Sequence, residues 1–321
     1  MEPAQIAACV FTVMYSIIML VSLVGNTLLI YIVWKKPEVR SLTSFMFVNM
    51  AVADLLVTLV MMPWSIAFFY TEGKWLIKGT IGEITCRGVI YTANFTVMAS
   101  ILCLTFIALD RFYAVAYPFR RQVWFRKAKF LTPLNWILSV ALMSIIPVTY
   151  QLHFPSSVCG FNLEVWGDED ATIRGVFVFL FATSYFFPLC ATSILYTKTA
   201  LNLWFHQAPG NQMIQDQQQR ETTKKRVVRN LIIIFTTFAL CWLPAQAYTL
   251  FIAITAWKVE IPTLVMYLVY WLGHANSAIN PWMYMGLNSK VNLQVAGMIR
   301  CRKPEVDDRV ATADTQKLRN P

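Results

Sequence analysis

The sequence predicts an all-α membrane protein, a bundle of seven membrane-spanning helices followed by a short amphipathic eighth helix. Three observations predict it. The 321 residues are 57% hydrophobic and only 14% charged, with a mean hydropathy of +0.52. A soluble domain carries about 25% charged residues, so there is more apolar side chain here than a water-facing surface can hide. Runs long enough to cross about 30 Å of hydrocarbon recur at Ala8–Trp34, Phe45–Tyr70, Val89–Val115, Phe130–Tyr150, Ile173–Leu203, Val227–Ala256 and Leu264–Met285. Finally, Lys and Arg sort between alternate loops. With the N-terminus outside, 22 of the 27 basic residues fall on the inner side, against Lys74, Lys78, Arg87, Arg174 and Lys258 outside, as the positive-inside bias requires.

The expected organisation is a short extracellular N-terminus at residues 1–7, the bundle at 8–288, a juxtamembrane helix at 289–301 and a polar, disordered cytoplasmic tail at 302–321. The chain is placed in the plasma membrane as a multi-pass protein. The net charge of +10 does not indicate nucleic acid, because the basic residues lie between apolar runs. The first run is too long for a signal-peptide core and reads as a retained span. Seven cysteines are scattered without a C-x-x-C pair or a Cys/His cluster, which argues against a structural metal site. No Ser/His/Asp set or phosphate loop is present, and His153, His206 and His274 are far apart, so an enzyme is not expected. A channel or transporter predicts internal repeats or glycine-broken helices, and neither is seen.

Taken in order, the first span places Gly25-Asn26 in mid-helix, where the amide can bond to a neighbouring helix. The second carries Asp54 away from either end. A carboxylate there costs about 2.5–3.5 kcal/mol on the insertion scale. It reads either as a hydrogen-bonded structural acid or as an ion or relay site. Pro63 further along predicts a kink.

Cys86 precedes the third span and Cys159 follows the fourth. Both face an oxidising compartment, and a disulfide between them is the natural pairing. The third span contains the formal glycosylation acceptor Asn94-Phe95-Thr96, which a membrane location disqualifies, and ends on Asp110-Arg111-Phe112. An acid and a base side by side can neutralise each other at the boundary. The fourth span holds Trp136 and Pro147.

The outer side carries eight acids, including Glu164, Asp168, Glu169 and Asp170, against five bases, which steers cationic partners. The fifth span has Pro188 and Tyr196. His206–Glu221 reads as a polar inner loop. Lys224-Lys225-Arg226-Val-Val-Arg229 opens the sixth span, with anionic lipid or an effector as its partner. Prolines at Pro244, after Cys241-Trp242-Leu243, and at Pro281, in Asn280-Pro281-Trp282-Met283-Tyr284, predict hinges. Ser289–Arg300 forms the amphipathic helix, and Cys301, flanked by Arg300, Arg302 and Lys303, is a candidate palmitoylation site.

These motifs occur in order, one set per span, and together the chain resembles the rhodopsin-like (class A) family of G-protein-coupled receptors, most closely its neuropeptide-type members. The residues carrying the resemblance are Gly25-Asn26, Ala53-Asp54, Cys86, Asp110-Arg111-Phe112, Trp136, Pro188, Tyr196, Phe238 with Cys241-Trp242-Leu243-Pro244, and Asn280-Pro281-x-x-Tyr284. They cover nearly the whole chain. The resemblance implies an extracellular ligand and activation of a heterotrimeric G protein. Asp54, Ser100, Asn276, Ser277 and Asn280 match the family's allosteric sodium pocket, with Trp242 as its roof. No other cofactor is implied. Pro188, Ile101 and Phe238 match the connector that repacks on activation. Arg111, released from Asp110, would reach Tyr196 and Tyr284 and contact the G protein.

The chain also departs from the family pattern. The tripeptide ends in Phe112 rather than Tyr. Lys224 stands where some members hold an acid that locks the arginine, which leaves Asp110 as the main restraint on Arg111. Val291 replaces a phenylalanine of the eighth helix. Only Thr312 and Thr315 offer tail hydroxyls for phosphorylation-dependent arrestin binding.

The resemblance also narrows the ligand. Ala93 replaces the acid that aminergic members use, and His274 replaces the lysine that opsins need. The expected pocket comprises Trp64, Phe68, Ala93, Asn94, Val97, Gln151, Phe161, Leu180, Gln246, Thr249, Met266, Tyr270 and His274. It suits a peptide, with a lipid or other non-amine small molecule as the second choice.

Overall fold

The computed structural model describes residues 3–71, 73–117, 127–162, 167–205, 215–259 and 261–299. Helix α1 runs Pro3–Lys35. Helix α2 runs Leu42–Thr71 with a π-helical turn at Val57–Met61. Helix α3 is Gly79–Ala116. Helix α4 is Ala128–Leu142, followed by a separate turn of helix at Ile146–Thr149. Helix α5 comprises Glu169–Phe181, a second π turn at Ala182–Phe186, and Phe187–Phe205. Helices α6, α7 and α8 are Gln215–Thr255, Thr263–Leu287 and Ser289–Ile299.

Among the described residues six spans are long and apolar enough to cross a membrane, α1 to α6, the fourth running Ala128–Thr149 with the short turn of helix included. The seventh, α7, has the length, 25 residues, but buries His274, Asn276, Ser277 and Asn280, which dilutes its hydropathy. Its outside is apolar where lipid would touch it, at Leu264, Val265, Leu268 and Ile279. The same sorting appears on α1, where Val10, Val13, Ile17, Leu20 and Val24 form an exposed stripe at helical spacing while Phe11, Tyr15, Ile18 and Leu29 are buried. Helix α3 is the centre of the bundle and touches α2, α4, α5 and α6. Its Ile101, Leu104 and Ile107 are fully buried in the main core. Helix α7 packs between α1 and α6.

Several boundaries differ from the sequence expectation. Helix α1 begins at Pro3 rather than near residue 8, because proline is well tolerated in a first turn. Pro63 does not produce a simple kink. The π turn at Val57–Met61 precedes it, and Met62 N–H bonds back to Val57 O across the wider turn. The fourth span is interrupted after Leu142, and Pro147 opens a new short helix. Helix α6 starts at Gln215, inside the stretch read as a loop, where Gln, Arg and Lys favour helix. Asn288 begins α8 by accepting N–H bonds from Lys290 (3.2 Å) and Val291 (3.4 Å) at its Oδ1.

The element absent from the all-α expectation is a hairpin, β1 Tyr150–His153 paired antiparallel with β2 Val158–Phe161, with Leu152 opposite Cys159. The predicted Cys86–Cys159 disulfide is present, with Cα atoms 5.8 Å apart. It is reinforced by Glu83, whose carboxylate accepts from Leu152 N–H (2.7 Å) and from Arg87 Nε (2.6 Å), while Arg87 also donates to Pro147 O (3.0 Å). The hairpin is thereby strapped to the start of α3 and closes one end of the bundle. Cys301, Glu164, Thr312 and Thr315 lie outside the described residues.

Candidate functional site

Beneath the hairpin, a cavity of about 290 Å³ opens between the helices. Its wall contains Trp64, Phe68, Ala93, Asn94, Val97, Leu180, Gln246, Thr249, Met266, Tyr270 and His274, as the sequence predicts. Gln151 and Phe161 do not line it. Strand side chains alternate, so Tyr150 reaches the cavity and Gln151 lies on the other side of β1. Phe161 sits behind Tyr150, ring centroids 4.7 Å apart, and leans on Phe177 at 5.8 Å.

The sequence reading missed Tyr15, Phe69, Phe177, Tyr248, Trp257 and Tyr267. Tyr15 is the least expected, since the sequence reading of α1 singled out only Gly25-Asn26. Its hydroxyl bonds His274 Nδ1 at 3.1 Å. His274 in turn stands edge-on to Trp242, ring centroids 6.4 Å apart. Trp242 packs directly on Gly273, where an added Cβ would sit 3.1 Å from the indole. The cavity floor is therefore a contact chain from α1 through α7 to the tryptophan two residues before the α6 proline. Gln246 Oε1 is buried without a partner among the described residues. No Asp, Glu, Lys or Arg lines the cavity among the described residues.

Below the floor lies a polar layer. Asp54 accepts from Ser277 Oγ (2.7 Å) and Asn280 Nδ2 (3.2 Å), and Asn280 also donates to Asn276 Oδ1 (2.9 Å). Ser100 is buried on the facing α3. The layer extends to α1, where Asn26 Nδ2 donates to Ser277 O (3.0 Å) and Ser22 pairs with Thr58 (2.6 Å). Asn26 Oδ1, Asn276 Nδ2 and Asn280 Oδ1 remain without partners among the described residues. A carboxylate ringed by hydroxyl and amide oxygens, some unsatisfied, is a hard-oxygen donor set that fits a small hard cation.

At the far end, Arg111 Nη2 is 2.9 Å from the Asp110 carboxylate and donates to Thr43 Oγ1 at 2.5 Å. Sequence reasoning gave Arg111 one restraint, and the start of α2 supplies a second. Tyr284 is 2% exposed. It stacks on Phe47 at 3.9 Å, donates to Ser44 Oγ (3.0 Å) and accepts from Asn288 Nδ2 (3.1 Å). Tyr196 is buried, and its hydroxyl has no partner among the described residues, nor does Arg111 Nε. Arg111 thus bonds to Thr43 and Asp110, and the Tyr284 hydroxyl is engaged by Ser44 and Asn288. Between the two ends, Ile101, Phe238 and Pro188 are buried together with Trp242. Trp136 donates to Asn49 Oδ1 (3.0 Å), tying α4 to α2.

A family profile described as "7 transmembrane receptor (rhodopsin family)" matches residues 25–284, most of the chain. The chain belongs to the rhodopsin family of seven-transmembrane receptors. The receptor is 28% identical to a QRFP-like peptide receptor of Branchiostoma floridae, covering 96% of this chain and 82% of the relative. It is also 28% identical to the allatostatin-A receptor of Bombyx mori (94% and 83% covered). With the human neuropeptide Y receptor type 2 it shares 27% identity (90% and 76% covered). Membership makes the receptor a multi-pass membrane protein and not an enzyme. It also accounts for α7, whose polar face belongs to the Asp54 layer.

Proposed function

We propose that the receptor sits in the plasma membrane with the hairpin end outside, binds an extracellular peptide in the aromatic cavity, and activates a heterotrimeric G protein at the Arg111 end. The observation that carries this reading is the continuity of α6 and α7. Both line the cavity at one end, through Gln246, Thr249, Tyr270 and His274, while α7 holds Tyr284 near Arg111 at the other. A ligand that displaces His274 and Trp242 therefore acts on helices whose other ends form the output. The names of the relatives support a peptide ligand. The acidic outer segment is partly committed to its own structure, since Asp168 accepts from Ala171 N–H (3.1 Å) at the start of α5 and Asp170 pairs with Lys258. Steering of a basic peptide thus rests on the remaining acids.

Asp54, Ser277 and Asn280, with Ser100 and Asn276 beside them, would hold sodium. The ion would supply a positive charge that offsets the buried carboxylate and favours the resting packing. Arrestin would be a further cytoplasmic partner, with Thr312 and Thr315 as its phosphorylation sites.

The test is a G-protein activation screen of the wild-type receptor against a peptide library, with Arg111→Ala as control. Activation by a peptide that disappears in Arg111→Ala supports the reading, and normal signalling by that variant refutes the mechanism. A second reading, an uncharged non-amine small molecule or lipid, is favoured by the lack of charged residues among the described cavity wall. Burying an unpaired ligand charge there would be costly. Activation by such a compound and by no peptide would replace the first reading with the second.

A further inference from the structure

The π turn Ala182–Phe186 interrupts α5 at the level of the cavity. Phe187 N–H bonds Ala182 O across the wide turn. The extra residue rotates the following side chains relative to a regular helix. Two neighbours in this turn end up on different tasks. Ser184 lines the cavity, as does Leu180 one turn before it, to whose carbonyl Ser184 Oγ donates at 2.6 Å. Tyr185 is buried and crosses to α6, where its hydroxyl donates to Ala239 O at 3.0 Å. Ala239 lies between Phe238 and the Trp242–Pro244 hinge, on the part of α6 that leads toward the Arg111 end. Further along, α5 is tied to α3 by the hydroxyl pair Thr105–Thr192 at 2.9 Å. Helix α5 is therefore anchored to the central helix while it reaches over to hold α6.

We propose that Tyr185 is a positioning residue whose hydrogen bond to Ala239 clips α6 against α5 in the resting receptor. This rests on the reading of the cavity as the ligand site. A ligand pressing on Leu180 and Ser184 shifts the π turn, the tyrosine hydroxyl leaves Ala239, and α6 is free to bend at Pro244. The carbonyl belongs to the backbone, so the whole selectivity of the clip lies in the Tyr185 hydroxyl.

The clip can be read without a ligand. Lys225 Nζ of α6 lies 5.7 Å over the Trp204 ring of α5. A bimane label on Lys225→Cys, with Cys9, Cys190 and Cys301 changed to Ala, is quenched by Trp204 while the helices are together and brightens when they part. Tyr185→Phe should raise the separated fraction by about threefold to tenfold, as losing one buried hydrogen bond does. The rise should vanish in a Trp204→Phe background, where no quencher remains. Tyr185→Leu, which removes the ring as well, should brighten the label at least as much.

A Tyr185→Phe receptor that melts like the wild type and stays equally dark overturns the clip, as does a dark Tyr185→Leu. G-protein nucleotide exchange measured on the same samples separates the two claims. Brightening without exchange keeps the clip and removes the G-protein reading, whereas exchange without brightening removes the clip.

Discussion

Arg111 donates to Thr43 across the gap between α3 and α2 while it pairs with Asp110 on its own helix. The guanidinium is thus held from two sides at rest, and the position of Lys224, where an acid would otherwise supply a restraint from α6, is offset by α2. Removing either partner should release it. Asp110→Asn and Thr43→Val are each expected to raise basal G-protein exchange severalfold. A hydrogen bond to a charged group contributes about 1.5–3 kcal/mol, and part of that is lost to solvent because Arg111 is a quarter exposed. Unchanged basal exchange in a well-expressed Thr43→Val receptor would show that α2 plays no part in restraint.

Tyr15 and His274 give the second prediction. Tyr15→Phe leaves a buried imidazole nitrogen without its partner, at a cost of about 1–3 kcal/mol. The purified receptor should melt several degrees lower. Thr12→Val, one turn before Tyr15 on α1, removes an exposed contact to Tyr70 of α2 and should shift the melting point far less. Equal shifts would remove the special standing of the Tyr15–His274 bond.

Much of this site was legible in the sequence, and the boundary of what was legible has physical causes. Asp54, Asn276, Ser277 and Asn280 stood out because polar groups inside an apolar run are costly unless they find partners in the bundle interior, and the family resemblance grouped them. The cavity residues on α2, α3, α6 and α7 came from the resemblance to the rhodopsin-like receptors, position by position. Tyr15 gave no such signal, since a tyrosine in a mostly apolar helix looks the same whether it faces lipid or the bundle. The π turns in α2 and α5 were equally silent, because an i to i+5 bond leaves no fixed mark on composition. Tyr185 is one aromatic in the run of three, Tyr185-Phe186-Phe187. The hairpin escaped because Tyr150–Phe161 is short and its pairing depends on the disulfide and on Glu83.

The Asp54 layer predicts a dependence on the cation. Replacing potassium by sodium at constant ionic strength should raise the melting temperature of the wild-type receptor, because a ligand that binds only the folded state stabilises it by mass action. Asp54→Asn should abolish the difference, and Ser277→Ala should shrink it. A sodium effect of full size in Asp54→Asn would place the ion elsewhere.

Close packing supplies a fourth expectation. Gly25 lies against α7, and a Cβ there would come within 2.7 Å of the Trp282 indole nitrogen and 2.8 Å of the Pro281 ring. Trp282 is itself held by donating to Val21 O at 3.2 Å, so it has little room to retreat. Gly25→Ala should cost about 1–3 kcal/mol, and Gly25→Val more, read as lost thermal stability and surface expression. Wild-type stability in Gly25→Val would mean that α1 and α7 can separate freely.

Asn288 does two things with one amide. Its oxygen receives the first N–H groups of α8, and its nitrogen holds the Tyr284 hydroxyl. The eighth helix is therefore fastened to Tyr284, the residue that the proposed switch turns toward Arg111. If Tyr284 swings toward Arg111, the amide has to follow it or let go, and in either case the start of α8 is redrawn. The membrane-lying helix is then a pointer on the same shaft as the switch, and a partner that reads α8 reads the state of Tyr284 without touching it.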